Sequence, residues 1–372
     1  MGRVQTSLAT IRKARGIGAA ELARKAGVTR QTIYAIEAGT YVPNTEVTLQ
    51  LARELEVTVE ELFSLPGARS EKIAALTAEY LGQSAPGDGQ AVRVSRVGTR
   101  WVSVPVDARP YHLPEADAVI TGAPVRSLKA RLCLFSEEQT VRNQIVLAGC
   151  DPATSLLARM VERFSGVEIV HAPASSQLAL NWLKEGKVHI AGSHLQDPES
   201  SEFNLPLIRR QFPNRDMTVI TFARWEEGLV LGPGNPKHIR GIEDLGRKSV
   251  TLMNRERGSG SRALLDSLLR SAGLATRSVR GYGRVAFGHL AAAHAVLSGD
   301  ADCCIATRSA AQTFGLDFIP LRSEQYDFVL HRETLGLASV EALCDALQRA
   351  TLRRKLETLA GYDTSQTGVI RV

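Results

Sequence analysis

Cysteine is scarce and unpatterned in this 372-residue chain. Cys133, Cys150, Cys303, Cys304 and Cys344 are odd in number, and none belongs to a C-x-x-C pair. That argues against a disulfide framework and a spacing-defined zinc site, and it fits a reducing cytosol. No run of roughly 18 apolar residues occurs, and the first residues carry no apolar signal core. The expectation is a cytoplasmic chain that neither spans a membrane nor is exported. Acid is almost missing from residues 1–36, where Glu21 stands against seven basic residues. Residues 37–66 reverse this, with Arg53 against six glutamates. Net charge is +6. Its uneven placement is the informative part, because a basic patch at one end of a domain favours phosphate contact.

Inside that basic segment, Leu22 to Gly39 reads as helix, tight turn, helix. Leu22, Ala23 and Ala26 form one apolar face. Gly27 suits a helix end that needs positive φ. Thr29 can cap the second helix through its hydroxyl. Ile33 and Ile36 then point inward, leaving Arg30, Gln31, Thr32 and Tyr34 for the outer face. A helix opening with Arg-Gln-Thr and anchored by its other face can present polar groups to base edges. Three further short helices are predicted: about Gln5 to Ala14, one opened by Pro43-Asn44-Thr45, and one started by the capping box Thr58-Val59-Glu60-Glu61.

Residues 5–64 resemble the XRE (Cro/repressor-like) helix-turn-helix family. The matching segments are Glu21-Leu22-Ala23, Gly27 to Ile33, Ile36-Glu37-Ala38-Gly39, Tyr41-Val42-Pro43 and Glu60 to Phe63. The resemblance implies that Arg30, Gln31 and Tyr34 face the major groove of double-stranded operator DNA. It also implies that Arg12 and Glu37 form an internal ion pair. Ala19 and Ala20 stand where many members begin the second helix with a phosphate-gripping Gln. Phosphate anchoring then leans on backbone amides and on Arg15, Arg24 or Thr40.

Residues 67–143 read as a linker and a small β-rich connector. Glu71 to Leu81 has the pattern of a helix, and Gly82 to Gly89 that of a flexible linker. Period-2 stretches follow at Ala91 to Val97, Arg100 to Val106, Ala118 to Ile120 and Ser127 to Phe135. No chemistry is legible there.

Residues 144–372 alternate short apolar strands with helices, the pattern of an α/β domain with a parallel sheet. A final helix is predicted from about Val340 to Leu359. Strand ends lead into small polar residues at helix starts: Cys150-Asp151, Ser175-Ser176, His194, Gly258-Ser259-Gly260-Ser261 and His289. Ligands of open α/β sheets sit outside the carboxyl ends of strands, where helix N-termini favour anions. Arg255, Arg257 and Arg262 add charge around the glycine–serine turn. The candidate ligand residues are therefore Cys150, Asp151, Ser175, Ser176, His194, Arg255, Arg257, Gly258, Ser259, Gly260, Ser261, Arg262 and His289, with no metal or cofactor expected. The three arginines cannot all face one cleft.

About 144–335 resembles the type II periplasmic-binding-protein superfamily, in the substrate-binding-like form found fused to helix-turn-helix regulators. The segments are Leu147 to Ala153, Ala191 to Leu195, Phe203 to Pro206, Glu227 to Val230, Gly234-Asn235-Pro236, Asn254-Arg255, Gly258 to Arg262, Gly299 to Asp302 and Leu316 to Leu321. The resemblance implies two lobes joined by crossing strands near 222–231 and 310–316, with a small anion between them. Molybdate or tungstate is the most specific guess, since relatives bind these at strand ends. Other oxyanions and organic acids follow.

The expected protein is multidomain: an all-α five-helix DNA-binding domain (1–66), the connector (67–143) and a two-lobed α/β sensor (144–372). It would be a non-enzymatic, one-component transcription regulator, working as a homodimer or higher homo-oligomer. An enzyme on the same scaffold is one alternative, but Asp151, His194 and His289 are joined by no catalytic motif. A C-terminal domain that only dimerises is another, which the polar strand ends disfavour.

Overall fold

The computed structural model describes residues 4–55, 57–64, 75–106, 115–123, 128–135, 143–213 and 216–372. The chain divides into two compact units, residues 1–73 and 74–372.

In the first unit, strand β1 (Gln5–Thr6) precedes helices α1 (Leu8–Ala14), α2 (Ala19–Lys25), α3 (Arg30–Glu37), α4 (Thr45–Leu55) and α5 (Val59–Leu62). Strand β2 (Phe63–Ser64) returns to pair antiparallel with β1. The first predicted helix therefore starts at Leu8 rather than Gln5, because Gln5 and Thr6 are used to close the chain ends together. Leu8, Leu22, Ile33, Ile36, Leu51, Leu55 and Leu62 form one core. Gly27 takes φ +67° in the turn between α2 and α3, the left-handed conformation expected of it.

The second unit opens with a closed five-stranded barrel: β3 (Ala75–Tyr80), β4 (Ala91–Val97), β5 (Arg100–Pro105), β6 (Ala118–Gly122) and β7 (Lys129–Leu134). The helix predicted over Glu71 to Leu81 is corrected. Residues 75–80 are a strand, parallel to β5 and antiparallel to β7, and residues 71–74 lie outside the described residues. Ala78 and Tyr80 point into the barrel with Val92, Val94, Ile120 and Leu132, so pairing on both edges overrides local propensity.

The rest is a two-lobed α/β body. The elements are β8 (Gln144–Gly149), α6 (Thr154–Ser165), β9 (Glu168–Pro173), α7 (Ser176–Lys184), β10 (Ile190–Ser193), α8 (Leu205–Gln211), β11 (Met217–Leu231), β12 (Leu252–Arg255), α9 (Gly260–Ser271), β13 (Val285–Ala286), α10 (His289–Leu297), β14 (Cys303–Thr307), α11 (Arg308–Thr313), β15 (Asp317–His331), α12 (Ala338–Gln348) and α13 (Ala350–Lys355). Eight strands form one sheet in the order β13-β12-β14-β11-β15-β10-β8-β9. It is mixed rather than parallel: β11 and β15, 15 residues each, run antiparallel along their whole length.

These two strands carry the chain between the lobes. The crossing expected at 310–316 is corrected to β15, because residues 308–313 are helix α11. The strands predicted at Leu316–Pro320 and Tyr326–Leu330 are two parts of β15. The single final helix is corrected to α12 and α13, separated at Arg349 and followed by a π-helical turn over Leu356–Ala360. The first lobe packs its two sheet faces into separate cores, around Ile145, Leu157 and Phe328 on one side and Val146, Leu180 and Val329 on the other. The second lobe does the same around Leu252 and Leu265, and around Cys304 and Ala292.

Candidate functional site

Helix α3 is held where its capping and periodicity require. Thr29 Oγ1 accepts from the Thr32 amide at 3.1 Å, and the Thr32 hydroxyl turns back to Thr29 at 2.8 Å. Ile33 and Ile36 are buried, while Arg30, Gln31 and Tyr34 are exposed. Arg30 donates to the Tyr34 hydroxyl through Nε at 3.1 Å and Nη2 at 2.8 Å, and its guanidinium lies over the Tyr34 ring. Arg12 donates to Glu37 at 2.6 and 3.2 Å and to the Ile17 carbonyl at 2.9 Å, tying α1 to α3. Arg15 and Arg24 are exposed, and the Thr40 hydroxyl closes α3 by donating to the Ala35 carbonyl.

In the second unit, two lobes meet over a buried polar floor. The Gln177 amide of the first donates to the Gly258 carbonyl of the second at 3.2 Å. A Cβ on Gly260 would lie 2.5 Å from the His194 ring, so only glycine lets α9 approach this closely. His194, at the end of β10, has its Nε2 3.4 Å from Cys150 Sγ and its Nδ1 2.5 Å from Glu324 of β15. Arg322 pairs with the same carboxylate. His289, opening α10, has Nδ1 3.8 Å from Glu227 of β11. His194, Glu227, His289 and Glu324 are all within 1% of full burial. Trp225 and Tyr326 wall the cluster, their rings 5.3 and 5.9 Å from His194.

Burial would lower the His194 pKa, but the Cys150 sulfur and the Glu324 carboxylate outweigh it and hold the ring well above its ordinary value. Burial would raise Glu324, yet His194 and Arg322 keep it low. Glu227 is pushed up by burial and then by repulsion from Glu324. His289 is driven well below its ordinary value by burial and by the Arg255 and His194 charges. Ser261 and the His194 and Arg255 charges pull Glu227 the other way, and neither ring nitrogen of His289 has a hydrogen-bond partner.

The sequence-predicted residues divide into three groups. Cys150, His194, Arg255 and His289 come together at this floor. Ser176 supports it by accepting from the His194 amide at 3.3 Å, and Ser261 lies 3.3 Å from an Arg255 nitrogen. Ser175 and Ser259 cap α7 and α9, accepting from Leu178 and Arg262 amides. Asp151 accepts from the Ala153 amide at 2.7 Å and the Tyr362 hydroxyl at 2.9 Å, and burial pushes its carboxyl up to about 7. Arg257 and Gly258 lie outside the floor and are exposed, and Arg262 packs on Tyr282 while donating to the Arg255 carbonyl. Of the three arginines, Arg255 alone reaches inward, paired with Glu256 at 2.9 Å. Glu227, Glu324, Trp225 and Tyr326 were not among the sequence-predicted residues. The available signal was Glu227 within the largely apolar run Met217–Leu231.

Beside the floor opens a cleft of about 710 Å³, lined by Cys150, Asp151, Thr154 and Ser155 of one lobe and Glu256, Gly288 and His289 of the other. The N-termini of α6 and α10 face this cleft. Those of α7 and α9 meet at His194.

A family model described as a PBP superfamily domain matches residues 157–348, just over half the chain. The chain belongs to the PBP superfamily. A helix-turn-helix model matches residues 8–62 ahead of it, so this member carries an XRE-type DNA-binding head. An uncharacterized protein of Bacillus subtilis, YvgK, is 32% identical over 247 residues, 66% of this chain and 80% of its own length. An uncharacterized protein from the 5′ region of a ferredoxin gene in Clostridium pasteurianum is 38% identical over 29% of this chain and 96% of its own length. The uncharacterized HTH-type regulator MJ0272 of Methanocaldococcus jannaschii is 44% identical over 43 residues, 12% of this chain and 65% of its own. Among solved structures, a phosphate-bound putative phosphate transporter substrate-binding protein of Clostridium perfringens aligns at 13% identity and TM-score 0.44, over 57% of this chain and 96% of that one. The protein is thus a DNA-binding regulator with a ligand-binding domain. Among the described residues, no helix is long and apolar enough to cross a membrane.

Proposed function

We propose that this PBP-superfamily regulator senses a small anion between its lobes and transmits that state to operator affinity. Residues 1–66 would be the DNA-binding domain, 67–143 the connector and 144–372 the sensor, in a homodimer whose paired heads match a two-fold operator. Arg30, Gln31 and Tyr34 would contact base edges, with Arg15, Arg24 and Thr40 near phosphates.

The observation that carries the anion reading is the convergence of four helix N-termini, α6, α7, α9 and α10, on the lobe interface, with Arg255 buried among them. Helix N-termini contribute unpaired N–H groups and positive partial charge. The high pKa values of Asp151 and Glu227 favour their protonated forms, which donate rather than repel. Molybdate and tungstate head the candidates, followed by other oxyanions and small organic acids.

Thermal unfolding of the full chain against molybdate, tungstate, sulfate, phosphate and small organic acids tests this. A ligand at 100 times its Kd stabilises by about 2.7 kcal/mol, enough for a shift of a few degrees. A saturable shift with one anion class supports the reading and names the class. No shift with any of them rejects it.

A further inference from the structure

The lobe-interface cluster has the composition and spacing of a transition-metal site, which the anion reading does not use. Cys150, His194 and His289 each offer a ligand atom, and the three atoms lie within 4.8 Å of one another. Tetrahedral zinc, with bonds of about 2.0–2.3 Å to nitrogen and sulfur, places its ligand atoms about 3.3–3.8 Å apart. Cys150 Sγ and His194 Nε2 are 3.4 Å apart, inside that range.

The second observation is what the protein leaves unpaired. Both nitrogens of His289 are buried with no hydrogen-bond partner. Burying such groups unmatched is costly unless something satisfies them. His194 adds the outer layer expected of a metal-bound imidazole. Its Nε2 faces the cluster while its Nδ1 is held at 2.5 Å by Glu324, which is itself anchored by Arg322. A carboxylate on the far nitrogen fixes the ring and raises its basicity toward a metal.

We propose that Cys150, His194 and His289 bind one divalent cation of zinc or cobalt type, with Glu324 as the outer partner of His194. A thiolate and two imidazoles suit borderline metals rather than magnesium or calcium. The cation also supplies positive charge beside the cleft. The proposal goes beyond the anion reading and stands without it.

The test is titration of the metal-stripped full-length protein with Co²⁺, followed by visible and near-ultraviolet absorption. Expected are one equivalent bound and a thiolate-to-cobalt charge-transfer band. C150S should abolish the band, and H289Q should weaken affinity at least 10-fold. C344S, which alters a cysteine outside the cluster, should leave both intact. Circular dichroism of each variant checks folding.

Absence of stoichiometric binding, or a band that survives in C150S, overturns the proposal. So does rapid stoichiometric alkylation of Cys150 that saturating Zn²⁺ fails to slow, since that describes an activated nucleophile paired with His194. Repeating the anion melts with chelator present separates the two claims: an anion shift without cobalt binding leaves the sensor reading intact.

Discussion

His194 and Glu324 are 130 residues apart in sequence and 2.5 Å apart in space, both fully buried where the lobes meet. Removing one partner of such a pair leaves the other charge without compensation and costs about 3–5 kcal/mol. Glu324→Gln is therefore expected to destabilise the second unit by that amount in urea unfolding, while His194→Gln with Glu324→Gln should recover part of it. Additive single losses would show that the two groups do not act as a pair.

Asp151 sets a pH signature. Its carboxyl is protonated up to about pH 7 in the fold but ionises near 3.8 when unfolded. The native state therefore binds more protons between those values, and stability falls as pH rises through that window. The contribution is up to about 4 kcal/mol, fully lost above pH 7. Asp151→Asn keeps the acceptor for the Ala153 amide and removes the titration. The difference in unfolding free energy between wild type and variant should thus change across pH 4–7. A constant difference would contradict this assignment.

Gly260 is a close contact of the second lobe on the first. A methyl group there would meet the His194 ring at 2.5 Å from both Cε1 and Nδ1. Both faces are backbone-tethered and buried, so neither yields cheaply. Gly260→Ala should hold the lobes apart, and anion-induced stabilisation should drop while operator binding persists. An undiminished anion shift in this variant would mean that closure at α9 plays no part in binding.

The DNA face is separable from the core. Arg30→Ala and Gln31→Ala remove exposed groups from α3 and leave Ile33 and Ile36 packed. Loss of a base contact costs about 1–3 kcal/mol and relaxes sequence preference at that position. The double variant should bind a selected operator at least 10-fold more weakly, with its melting temperature unchanged. Full-affinity binding with retained specificity would remove these residues from the interface.

What the sequence disclosed follows physical range. Thr29 was legible because an N-cap is made within three residues of itself, whereas Ser175 and Ser259, expected at the ligand, cap α7 and α9. Gly27 was legible too, since its left-handed turn is local. The Arg12–Glu37 pair was carried by family resemblance. The barrel was not legible, since β3 closes it by pairing with β5 and β7 across long loops, and Ala75–Tyr80 alone has no preference strong enough to declare a strand. Glu227 and Glu324 were hidden for a related reason. They lie on the two long crossing strands, and only the register of β11 against β15 and the closure of α10 bring them to His289 and His194. No spacing rule joins Cys150, His194 and His289, so a metal-ligand set built from three separate strand ends leaves no motif.

The account turns on coupling between the lobe interface and the DNA-binding head. The direct measurement is the affinity of the full chain for an in vitro selected operator, with and without the anion that raises its melting temperature. Linked sites typically change each other's affinity about 5- to 150-fold. A change in that range, absent in Gly260→Ala, is the predicted result. Equal operator affinity with the anion bound and free would contradict the regulator proposed here.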